Sequence, residues 1–199
     1  MKTWLKKVNR GLILTLVAIL AVTVYLTALS IAQNRQKTRI EAICRDYIAL
    51  EAAWQKLPAD IDLADLPLSD EEQAAHFSQL RTELAPYYIQ DEQILDLAVQ
   101  KISDALRLQM NGGTVLTSYE KTVTAFSGFQ FDGQRVTVEI TTQTAVEQVD
   151  PGRPDAMPQR FAGSITDSIT LQREGDTWRL LNASLNLPWQ SSYREKFGG

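Results

Sequence analysis

A run of 22 residues without charge, proline or histidine, GLILTLVAILAVTVYLTALSIA from Gly11 to Ala32, constrains this chain more than any other feature. At 1.5 Å of helical rise per residue it is long enough to cross a hydrocarbon core of roughly 30 Å. Whatever lies beyond it folds as a domain tied to a membrane, unless the run is removed. That remainder is long enough for one domain with its own hydrophobic core.

The flanks of the run bear on orientation. Lys2, Lys6, Lys7 and Arg10 precede it, and Arg35, Lys37, Arg39 and Arg45 follow it, so the positive-inside count nearly balances. A short basic tail ahead of an apolar run, with a large acidic domain behind it, is the layout of a signal anchor. The N-terminus is then cytoplasmic and the domain extracytoplasmic. The rival is cleavage after Ala32, where Ser30 and Ala32 supply the small residues of an A-x-A-like site and release would give a secreted domain. The run exceeds the usual signal-peptide core of about 7–15 residues, which favours retention. The expected organisation is a basic cytoplasmic tail over 1–10, a transmembrane helix over 11–32, a linker or helix continuation over 33–38 and an extracytoplasmic domain over 39–199.

Four of the 20 Lys/Arg precede the span, which leaves 16 against all 24 Asp/Glu for the rest of the chain. An acidic domain repels nucleic acid and anionic headgroups, so nucleic-acid binding is not expected. Cys44 is the only cysteine, which excludes an intramolecular disulfide, and its helical spacing makes it a small buried hydrophobe. His76 is the only histidine, and no His-x-x-x-His or cysteine cluster accompanies it, so no metal is expected. No nucleophile elbow, Walker loop or dinucleotide fingerprint occurs, and no cofactor is expected. The acids Asp70, Glu71 and Glu72 read as a helix first turn rather than a calcium loop.

After Ala32 the hydrophobic period is first helical. Ile40, Ile43, Cys44, Tyr47, Leu50, Trp54 and Leu57 form one stripe, stopped by Pro58. Ser69-Asp70-Glu71-Glu72 is a capping box that opens a second helix to about Leu84, with Phe77, Leu80 and Leu84 inward. A third helix is expected from about Asp91 to Met110, stopped by Asn111-Gly112-Gly113. Then the period becomes two. Residues 114–131 read as a strand, and Asp132-Gly133 signals a hairpin. Val136, Val138, Ile140, Thr142, Thr144 and Val146 alternate with polar neighbours on the next strand. A proline-rich loop over 150–159 leads to a third strand, with Phe161, Ile165, Ile169 and Leu171 on one face. Gly175-Asp176 turns into a fourth, from Thr177 to about Leu187, before Pro188 and a polar tail.

Three helices followed by an antiparallel meander give an α+β fold, with the helices across one face of a sheet of about four strands. This order, the hairpin at Asp132-Gly133 and the closing Gly175-Asp176-Thr177-Trp178-Arg179 resemble the NTF2-like (cystatin-like) superfamily over roughly residues 39–188. The resemblance implies a cone of helices against a strongly curved sheet. With a short tail and one span, the chain is similar to VirB8-like components of conjugation and type IV secretion machines, and to membrane-anchored accessory subunits of bacterial envelope transport systems. Both imply an outer domain that binds other envelope proteins rather than a catalyst, and the fold implies possible homodimers through a sheet face.

The alternative is a small-molecule binder or acid–base enzyme using the interior of the cone. Asp167 is its first candidate, because it shares parity with Phe161, Ile165, Ile169 and Leu171, and a buried carboxylate is costly without partners. A bulge near Gly163 or Asp167, or a place at the open end of the sheet, would instead leave it at the surface. Tyr88 and Tyr119 offer hydroxyls, although Tyr88 follows Pro86 at a helix–helix junction, where a packed corner is favoured, and ordinary strand propensity accounts for Tyr119. Asn182 alternates with Trp178 and Leu180 and lines the cavity unless an irregularity turns it to water. The reading adopted from the sequence is the non-catalytic partner-binding module.

Overall fold

The computed structural model describes residues 10–153 and 157–185. Lys2, Lys6 and Lys7, part of the proline-rich loop, and the chain end with Pro188 lie outside the described residues. The chain divides into two compact units, the first ending at Ile40 and the second starting at Glu41.

Helix α1 runs from Arg10 to Ala53. It is the one helix among the described residues long and apolar enough to cross a membrane, and none of its most apolar window is buried. Residues 33–38 are helical rather than a separate linker. The reason is local: Gln33-Asn34-Arg35-Gln36-Lys37-Thr38 contains neither glycine nor proline, so nothing interrupts the backbone ladder. The helix closes short of Pro58, with Trp54 N donating to Leu50 O at 3.1 Å.

In the second unit, α2 (Asp70–Leu84) and α3 (Glu92–Met110) follow a loop. The capping box is formed reciprocally: Glu72 N donates to Ser69 Oγ at 3.3 Å, and Ser69 N donates to Glu72 Oε2 at 2.9 Å. Ser69→Ala is expected to cost about 1 kcal/mol, read as a lowered urea midpoint at unchanged slope. Asp91 caps α3 through the amides of Gln93 and Ile94. Leu95, Ala98, Ile102, Leu106 and Met110 form its buried stripe. Phe77 is half-buried rather than inward, with the Arg107 guanidinium 5.3 Å over its ring.

The strands β1 (Val115–Asp132), β2 (Arg135–Val149), β3 (Gln159–Glu174) and β4 (Thr177–Ser184) form one curved antiparallel sheet in the order β1-β2-β3-β4. Gly133 and Gly175 take φ of +57° and +60° in the two tight turns, a conformation costly to any residue with a Cβ. Val136, Val138, Ile140, Thr142, Thr144 and Val146 are all buried on one face of β2, as their alternation predicts. Ile169 and Leu171 of β3 and Leu180 of β4 extend that face. Phe161 has the same parity but is 40% exposed, because it lies toward the far end of β3, past the buried stretch.

The helices pack on this buried face. Ala52 of α1 clusters with Leu116, Tyr119 and Val146, and the Arg45 guanidinium lies 4.7 Å over the Phe126 ring. The segment between α2 and α3 meets the margin of β4 at Leu180: Leu180 N donates to Tyr87 O at 2.8 Å, and Ile89 N donates to Leu180 O at 3.1 Å. At the other margin, no strand pairs beyond β1 among the described residues.

Candidate functional site

Under α1 the buried face of the sheet is not wholly apolar. β2 and β3 pair without a register shift from Arg135↔Gln172 to Gln148↔Gln159, so no bulge turns Asp167 outward. It points into the interior and is 1% exposed. Lys121 of β1 reaches it across β2, with Nζ 2.7 Å from Asp167 Oδ2 and both side chains fully buried. Thr142 and Thr144, which stand between them on β2, are small enough to let the lysine lie across, and Thr142 Oγ1 donates to Asp167 Oδ2 at 3.4 Å.

The third charged group comes from the helix. Glu51 of α1 is 1% exposed, and its Oε1 accepts from Gln55 Nε2 at 2.6 Å. Glu51 Oε2, Gln55 Oε1 and Thr144 Oγ1 are buried and have no hydrogen-bond partner among the described residues. Gln55 is itself anchored: its carbonyl accepts from Gln109 Nε2 at 2.8 Å, and Gln109 Oε1 accepts from Leu116 N at 2.9 Å. One side chain of α3 thus ties the end of α1 to the start of β1.

Tyrosines surround this cluster. The hydroxyls of Tyr47 and Tyr88 lie 2.7 Å apart, and Tyr119 is buried beside Ala52. Burial pushes Tyr88 up to about 12, offset in part by its bond to Tyr47 and reinforced by Glu51. Tyr47 is held well above the usual phenol range by burial first, then by Tyr88, Glu51 and Asp167. Tyr119 is raised by burial, Glu51 and Asp167. All three therefore stay neutral near pH 7. Glu51 behaves differently. Burial raises its carboxyl from 4.5 to about 7, against the pull of Lys121 and the Gln55 hydrogen bond and with a further push from Asp167. The cluster is one lysine, one carboxylate and one carboxyl that exchanges its proton near neutrality.

Of the residues singled out from sequence, Asp167, Tyr119 and Tyr88 come together in this interior, and Asn182 does not. The β3–β4 register passes from Leu171↔Leu180 to Thr170↔Asn182, which leaves Leu181 as an extra residue. This bulge turns Asn182 out to solvent and brings Ala183 inward. Cys44 is buried as a small hydrophobe, and burial, with Glu41, raises its thiol to about 12.

Sequence reasoning missed Lys121, Glu51 and Gln55. Each carried a signal. Lys121 shares the inward parity of Tyr119, and Glu51 and Gln55 continue the helical spacing of Cys44 and Tyr47.

The opposite face of the sheet is open. Ser118, Glu120, Ala145, Glu147, Arg160 and Ala162 surround a shallow depression there of about 320 Å³. Arg160 Nε donates to Glu147 Oε2 at 2.7 Å across it.

No family model matches this chain. No curated protein matches it either. Among solved structures it is similar to the crystal structure of the intermembrane space region of the chloroplast protein ARC6, at 18% identity and a TM-score of 0.36, over 59% of this chain and 97% of that one. A likeness so distant carries no argument about function.

Proposed function

We propose that this chain is a non-catalytic, membrane-anchored extracytoplasmic module that binds protein partners, built as an NTF2-like cone on a signal anchor and serving as a scaffold in an envelope complex of the secretion or conjugation type. The observation that carries this reading is the sealing of the interior. Lys121 and Asp167 are paired with fully buried side chains, and α1 lies over them, so the groups suited to acid–base chemistry have no path to a substrate. The exposed face of β1–β3 remains available to a partner.

A second reading, a ligand-binding or acid–base interior, draws on Glu51, whose carboxyl titrates where a general acid or base works best. The two separate in one experiment. The tagged full-length chain is crosslinked in membranes and recovered for mass spectrometry of proteins and small molecules, beside Asp167→Asn and Glu51→Gln. The expected result is one set of membrane proteins shared by all three. A small molecule retained only by the unsubstituted chain, with no protein partner in any sample, overturns the scaffold reading and supports the second.

A further inference from the structure

The three buried charges are not equivalent in where they are attached. Lys121 and Asp167 both belong to the sheet and are paired with each other at 2.7 Å. Glu51 alone belongs to α1, and its Oε2 has no hydrogen-bond partner among the described residues. If α1 lifts from the sheet, the Lys121–Asp167 pair stays whole and only Glu51 leaves the interior. The helix is therefore the element whose seating depends on the charge of one carboxyl.

With its proton, Glu51 is a neutral group beside the Lys121–Asp167 ion pair, and the charges of the interior balance. Without it, two carboxylates share one lysine, and one negative charge is left in excess. An excess buried charge is relieved by reaching water. The shortest route is for α1 to release the sheet, since Glu51 is the only one of the three that moves with it.

We propose that Glu51 is a proton-operated latch, keeping the end of α1 seated on the sheet while its carboxyl is protonated and letting it lift when the proton is lost. The groups facing Glu51 are consistent with this role. From α1 itself come Tyr47 and Gln55, from β1 Tyr119 and Lys121, from β3 Asp167, and from the α2–α3 junction Tyr88. β2 contributes the uncharged Thr142 and Thr144. From α2, Glu83 accepts from Trp54 Nε1 at 2.8 Å, next to the same turn of helix. The tyrosines are neutral near pH 7, so the proton that changes there is that of Glu51. The helix that carries the latch also carries the apolar run, Arg10 to Ala53 being one element.

The test is hydrogen exchange of the full chain in lipid nanodiscs between pH 5.5 and 8.5, with α3 as the internal control. After correction for base catalysis, amides of α1 around Glu51 should lose protection about tenfold for each pH unit from about 5.5 up to the Glu51 midpoint and level off above it, while α3 stays protected. In Glu51→Gln, which keeps the shape and removes the charge, the same amides should stay protected throughout. Wild-type α1 protected equally at both ends of the range would overturn the proposal without recourse to any variant. So would a pH-dependent opening that persists in Glu51→Gln.

Discussion

Lys121→Met is expected to lower the stability of the outer domain by about 3–5 kcal/mol, the usual cost of stripping one partner from a buried ion pair. The lysine is the only cation among the three charged groups in the interior, and Asp167 and Glu51 both lean on it. Methionine replaces its aliphatic stem well, so the loss is electrostatic rather than a cavity. The double substitution Lys121→Met with Asp167→Asn should recover most of the loss, because the carboxylate left behind is what makes the single change costly. Urea unfolding of the full chain in micelles, followed by tryptophan fluorescence, measures both. A single-variant loss below about 1 kcal/mol, the size found for exposed pairs, would mean that water reaches the pair.

The second large effect is a dependence of stability on pH that belongs to Glu51. Its carboxyl titrates at about 7 in the fold and at 4.5 in the unfolded chain. The folded state therefore holds the proton more tightly, and its stability falls as pH rises between those values. The contribution is intact below pH 4.5, is lost progressively through 7, and above that leaves a penalty of about 3 kcal/mol. Other carboxylates add their own slopes, so the clean quantity is the difference between wild type and Glu51→Gln. That difference should widen by about 3 kcal/mol from pH 4.5 to 8, with the variant the more stable protein at pH 8. A constant difference across the range would place Glu51 in contact with solvent.

The sheet was legible because its alternation is uninterrupted: every second residue of β2 from Val136 to Val146 is buried. The capping box at Ser69 and the turns at Gly133 and Gly175 were legible for a related reason, since each is a local pattern with one backbone solution. Asn182 was misplaced because the bulge at Leu181 depends on how β4 pairs with β3, not on β4 alone. Residues 33–38 read equally as helix or linker, because polar residues without glycine or proline are neutral on the question.

The interior cluster was half legible. Strand parity aimed Asp167 inward, but the cost of burying it argued for an escape to the surface. The structure resolves that tension with a cation rather than a bulge. Lys121 supplies it from β1, beyond the intervening strand β2, and no spacing within either segment encodes the meeting. Glu51 and Gln55 stayed hidden because a stripe traced through apolar residues steps over charged ones at the same spacing.

Among the described residues, the segment over 87–89 meets the margin of β4 at Leu180, and no strand pairs beyond β1. The free amides and carbonyls along β1 are a template for strand addition, and two copies meeting there would share one eight-stranded ribbon across a two-fold axis.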